Sequence, residues 1–291
     1  MLKHIGVWIV ALLITLGAAI YQRTTGPTYP KKVKVEFSDS EYSLKLLRSQ
    51  EIGSPCYLDV DLAGEDIEAT IFYKRLGVDE PWTETILKPR KSQEKAFFGK
   101  GKDKVVLSTI LPEQPEAGKI QYYLKFKKKE EVKFVDKDQP IVIRFKGAVP
   151  WYILVPHIFF MFSAMLLSSV TAIYFIIKDY DRTKNFGMRT IGALFVGGMI
   201  LGPVVQKYAF SEFWTGVPWG WDLTDNKTLI AFTAWVIAAA VNWKSNKKPI
   251  LFFIATIVLY MVYSIPHSAF GSELNYETGK VVQGLILPLF Y

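Results

Sequence analysis

Five apolar runs, at 5–21, 151–177, 188–209, 228–243 and 250–266, constrain this chain more than any other feature. A helix of about 20 apolar residues matches the roughly 30 Å hydrocarbon layer of a bilayer. Inside that layer a backbone satisfies its hydrogen bonds only as a helix or a closed barrel. The runs therefore predict an α-helical membrane bundle of about five transmembrane helices. Residues 22–149 carry charge of both signs and no such run. They predict a water-soluble domain inserted after the first helix.

Residues 1–21 are expected to be an N-terminal transmembrane anchor. A cleaved signal peptide competes with that reading, because Gly17-Ala18-Ala19 offers small residues at a plausible cleavage site. Short loops set the orientation. Lys178, Arg182, Lys184 and Arg189 lie between the second and third runs, and Lys244, Lys247 and Lys248 between the fourth and fifth. The other side holds Lys207 and Lys227 in one short loop and Lys280 in the tail. Basic loops stay in the cytoplasm, so the N-terminus is expected there. Residues 22–149 and the C-terminal tail, 271–291, then face outward, and the tail lies at the interface or on a partner. With no organelle transit signature, the expected location is a bacterial inner membrane with a periplasmic domain.

Within that domain, six stretches alternate or are β-rich: Lys32–Phe37, Tyr57–Leu62, Ile67–Lys74, Val105–Ile110, Lys119–Phe126 and Pro140–Phe145. Turn signals such as Gly53-Ser54-Pro55 and Gly99-Lys100-Gly101 separate them. This spacing suits an all-β sandwich of the immunoglobulin or fibronectin kind. Gly118–Tyr123 resembles a late strand of such folds, with a tyrosine packed near a corner. The domain contains no histidine and no nucleophile–base pair, so docking rather than catalysis is its expected role. Net charge is +8, but no basic stripe interleaved with aromatics stands out, which argues against a nucleic-acid partner. Cys56 is the only cysteine, which excludes an intramolecular disulfide and a Cys-x-x-Cys-His heme attachment site.

Chemistry concentrates in residues 150–270. The loop 210–227 holds Trp214, Trp219, Trp221 and Asp222, and the only histidines outside the N-terminal tail are His157 and His267. His157 lies near the outer start of its run and His267 just past the outer end of the last one. Two neutral imidazoles at matched depth beside an aromatic wall form a suitable axial pair for heme iron. Met161, one turn beyond His157, is a weaker rival ligand. Glu273 and Tyr276 are candidate propionate or proton-path contacts. Asp222 and Asp225 also suit an N-terminal cap for the helix that follows.

The order of outer histidine, helix pair, tryptophan loop, helix pair and outer histidine resembles the heme-handling membrane proteins of cytochrome c biogenesis. Gly216-Val217-Pro218-Trp219-Gly220-Trp221-Asp222 is similar to that family's tryptophan-rich core, and the likeness covers about residues 150–270. It departs after Asp222, where Leu223-Thr224-Asp225-Asn226-Lys227 replaces the family's usual continuation, and in the large domain that precedes the membrane part. The resemblance implies that the loop shelters heme b and that His157 and His267 hold its iron.

The expected function is therefore that of a non-enzymatic heme-associated membrane protein, handling heme for cytochrome c maturation or passing electrons to a periplasmic cytochrome c. The competing expectation is an accessory subunit of a larger membrane complex that docks other subunits through its sandwich. Its signals are the small residues Gly192, Gly197, Gly198 and Gly202 in the third run, which allow close helix approach, and the apolar tail.

Overall fold

A computed structural model describes residues 2–93, 103–245, 247–266 and 272–283. The described parts of 1–27 and 148–272 form a helical unit, and those of 28–147 with 273–282 a β unit.

The β unit contains β1 (Lys31–Phe37), β2 (Ser40–Leu46), β3 (Ser49–Glu51), β4 (Cys56–Val60), β5 (Glu68–Arg75), β6 (Thr83–Ile86), β7 (Lys88–Gln93), β8 (Asp103–Leu111), β9 (Lys119–Lys128), β10 (Glu131–Val135) and β11 (Ile141–Lys146). The largest sheet runs β3-β11-β9-β5-β6, with β10 also on β9; β4-β8-β7 form a second sheet and β1-β2 a hairpin. Only the β3–β11 pairing is parallel among these ladders. Side chains two apart in a strand share a face. Accordingly Ile120, Tyr122, Leu124 and Phe126 of β9 are all buried, as are Leu58 and Val60 of β4 and Leu44 and Leu46 of β2. All three sheets contribute to one core. Within the predicted Gly118–Tyr123 stretch, Tyr122 is buried and its hydroxyl donates to the Leu47 carbonyl at 2.9 Å.

All six predicted strands are present. Residues 273–282, read from sequence as part of an interfacial tail, belong instead to the β unit. Strands β12 (Ser272–Leu274) and β13 (Val281–Gln283) pair there. The reason is polar: Lys119 Nζ meets Glu273 Oε2 at 2.7 Å with both groups largely buried, and the Tyr276 hydroxyl donates to Gln114 Oε1 at 2.9 Å.

The helical unit contains α1 (Leu2–Thr25), α2 (Trp151–Ile176), α3 (Tyr180–Leu194), α4 (Gly202–Phe210), α5 (Leu223–Asn242) and α6 (Ile250–Ser264). A π-helical segment, Phe195–Leu201, joins α3 to α4. Three helical stretches are long and apolar enough to cross a membrane: 2–25, 151–176 and 180–210. The last begins earlier than the predicted run at 188, because Asp179 caps α3 by accepting from the Arg182 amide. The 15 residues of α6 extend only about 22 Å at 1.5 Å per residue, so helix length alone does not establish five crossings. Val7, Ala11 and Thr15 recur every four residues and form the buried stripe of α1; Val7 and Ala11 pack with Val170 and Tyr174 of α2. A second core joins Trp235 of α5, Phe252 of α6 and Leu194 of α3.

Candidate functional site

The loop between α4 and α5 is held by side chains from the helix that it precedes. Asp222 caps α5, its Oδ1 accepting from the amides of Thr224 at 2.8 Å and Asp225 at 3.4 Å. Its second oxygen accepts from Ser272 Oγ at 3.1 Å. Asp225 reaches back to the Thr215 amide at 2.6 Å and Thr215 Oγ1 at 3.2 Å. Asn226 Oδ1 accepts from the Val217 amide at 2.8 Å, and Gln206 donates to Thr215 Oγ1 at 2.7 Å. The Asp222 amide closes the loop onto the Thr215 carbonyl at 2.9 Å. Two glycines permit this close packing. A Cβ on Gly216 would stand 2.7 Å from Asp225 Cβ, and one on Gly220 would collide with the Thr215 carbonyl.

The three loop tryptophans have different settings. Trp214 is half-buried, and its indole N–H donates to the Val217 carbonyl at 3.1 Å. Trp219 and Trp221 are 81% and 74% exposed. Asp222, expected to contact a cofactor, is buried, and both its oxygens are engaged by protein donors. Its role is to shape the loop, in keeping with the cap reading.

His157 lies six residues into α2, about 9 Å from the helix start. Its Nδ1 is 2.9 Å from the Gly197 carbonyl. That carbonyl also accepts from the Gly202 amide, five residues on, in the wide turn of the π segment. A carbonyl can only accept, so Nδ1 carries the proton and, in the neutral ring, Nε2 keeps its lone pair. Among the described residues Nε2 has no partner. A backbone carbonyl on the far nitrogen of an imidazole is the usual outer support of a histidine that binds metal. The Met161 sulfur would be 3.2 Å from a Cβ on Gly197, so it packs into the groove between α2 and the π segment.

His267 lies outside the described residues. The chain just before it is fixed, because Lys227 of α5 donates to the carbonyls of Ile265 at 2.9 Å and Pro266 at 3.4 Å. These carbonyls end α6, and a buried lysine there also opposes the negative end of the helix. Sequence reading counted Lys227 only as a loop charge; burial and these bonds make it a structural clamp. Glu273 and Tyr276 are likewise reassigned, since their bonds go to Lys119 and Gln114 of the β unit. At the other end of the helices, His4 Nδ1 lies 3.0 Å from the Tyr174 hydroxyl. Among the described residues no three His, Cys, Asp or Glu side chains cluster as a metal site.

Comparison with known proteins finds no matching family model, curated protein or solved structure.

Proposed function

We propose that the helical unit binds one b-type heme near its tryptophan-loop end, where His157 Nε2 would hold its iron. The observation that carries the reading is the His157–Gly197 bond, which leaves the iron-binding nitrogen unpartnered and its ring oriented. His267 is proposed as the second ligand, from its place one residue after the clamped Pro266. The heme would supply one-electron chemistry or be cargo. The protein's own contribution is to hold the imidazole in one tautomer and to wall the site with the half-buried Trp214 side of the loop.

The reading extends to a periplasmic β unit of immunoglobulin-like class and a bacterial inner-membrane location. Five crossings would place the basic ends of α3 and α5 in the cytoplasm, as charge asymmetry favours. Heme handling for cytochrome c maturation and electron transfer to a periplasmic partner are the two roles it accommodates. His157→Ala and His267→Ala should each abolish the low-spin b-type spectrum of the purified protein; retention of the wild-type spectrum in both rejects the ligand pair.

A second reading, an accessory subunit, draws on the β unit. Phe72 and Tyr123 stack at 4.7 Å, Trp82 meets Tyr123 edge-on at 4.9 Å, and Lys74 lies over Trp82. Such an aromatic and cationic patch suits a protein partner. Stable co-purification with other subunits and a heme-free spectrum would favour it.

A further inference from the structure

We infer that Trp219 and Trp221 seat the loop in the headgroup interface of a phospholipid bilayer and so fix how deeply this end of the helical unit sits. The inference concerns the lipid surface and does not require heme.

Four observations converge on it. First, the two rings project from a loop whose backbone is fixed by Asp222, Asp225 and Asn226, so their height on the helical unit is set. Second, the loop directly continues a helical stretch, 180–210, that is apolar and long enough to cross a membrane. Exposed Phe195, Ile200 and Tyr208 on that stretch lead to exposed Phe213 and Val217 in the loop. The outward surface is therefore continuous with one already suited to acyl chains.

Third, the start of α2 lies at the same end. His157 Cε1 is 4.0 Å from where a Cβ on Gly202 would stand. From that level α2 rises about 9 Å to Trp151, while α4 rises about 12 Å to Phe210. Trp151 and Tyr152 are both exposed there, so exposed aromatic side chains stand at this end of α2 as well as in the loop. Fourth, Asp222, Asp225 and Lys227 are turned inward, and the charges left exposed beside the loop, Lys207 and Glu212, suit the polar headgroup level, as do outward indole rings with an apolar body and one N–H. That chemistry partitions to the level of lipid headgroups. A soluble partner or a porphyrin face would also accept two exposed indoles, but neither accounts for the exposed aromatic pair on α2.

The test uses the full chain in phosphatidylcholine vesicles, with bromine placed on the acyl chains either near the headgroup or near the bilayer centre. Tryptophan emission is compared between wild type, Trp219→Phe, Trp221→Phe and the double variant, with Trp235→Phe, a fully buried ring, as the control. The expected result is that shallow bromine quenches wild type more than deep bromine, and that this difference falls in the double variant, where exposed Trp151 keeps its share, but is kept in full in Trp235→Phe. An unchanged shallow-bromine difference in the double variant overturns the inference. So does emission from the pair that ignores bromine and rises only when heme or a bound protein is removed. Conservative Trp→Phe changes at exposed positions leave the fold intact, and the single variants keep the test readable should the double variant express poorly.

Discussion

At the basic end of the helical unit, Asp179 and Arg182 are partly or fully exposed and bond mainly to each other, and Lys184 reaches the Trp243 carbonyl. At the tryptophan-loop end, Asp222, Asp225 and Lys227 are buried, and most of their bonds go to backbone. Exposed pairs contribute little to stability, whereas buried polar groups specify one arrangement because leaving any of them unpaired is costly. One end leaves its charge exposed, and the other spends charge on the shape of a loop. The two histidines repeat the contrast. His4 meets a hydroxyl, which can donate or accept, so its tautomer is open; His157 meets a carbonyl, which fixes it.

The contrast is most severely tested at Gly220. Gly220→Ala places a methyl against the Thr215 carbonyl and should open the loop at a cost of about 3 kcal/mol or more, read as new protease cleavage between 211 and 222. Asp225→Ala removes the acceptor of the Thr215 amide and should cost about 1–3 kcal/mol in detergent unfolding. An effect no larger than that of Lys184→Met would erase the distinction between the ends. At the basic end, Tyr174→Phe removes the hydroxyl beside His4 and should cost about 0.5–1.5 kcal/mol. It would also loosen α1, seen as faster amide exchange.

The smallest effect is a pH dependence at Asp179. Burial pushes its carboxyl up, but the bonds from Arg182 outweigh burial and hold it below the usual carboxylate value. Its contribution is thus present above the unfolded carboxylate pKa of about 4 and is lost as pH falls through the lower folded value. Exchange at the Arg182 amide should accelerate only in acid, while exchange at Thr215 follows Asp225 alone.

How much of this was legible in the sequence depended on whether local pattern or distant pairing decided the outcome. The six strands with β-rich runs were readable because side chains alternate faces, as Ile120, Tyr122, Leu124 and Phe126 do. Strands such as β3, β6 and β7 were not, since short polar segments become strands only through the neighbour they pair with. The helical runs were readable from hydropathy, but their ends were not, because Asp179 extends α3 through a charged segment. In the candidate site, the sequence singled out His157 and the tryptophans. It gave no sign that Gly197, 40 residues away, would supply the carbonyl, since that contact depends on the π segment. Lys227 read as a loop charge and Asp225 as part of a helix cap; only packing showed Lys227 clamping the end of α6 and Asp225 reaching back to Thr215.

The most direct test is the optical spectrum of the purified, detergent-solubilised protein, oxidised and dithionite-reduced, with pyridine extraction, alongside His157→Ala. The account predicts a low-spin b-type signal near one heme per chain that His157→Ala eliminates. A flat spectrum from heme-replete membranes, or one indifferent to His157, would contradict it.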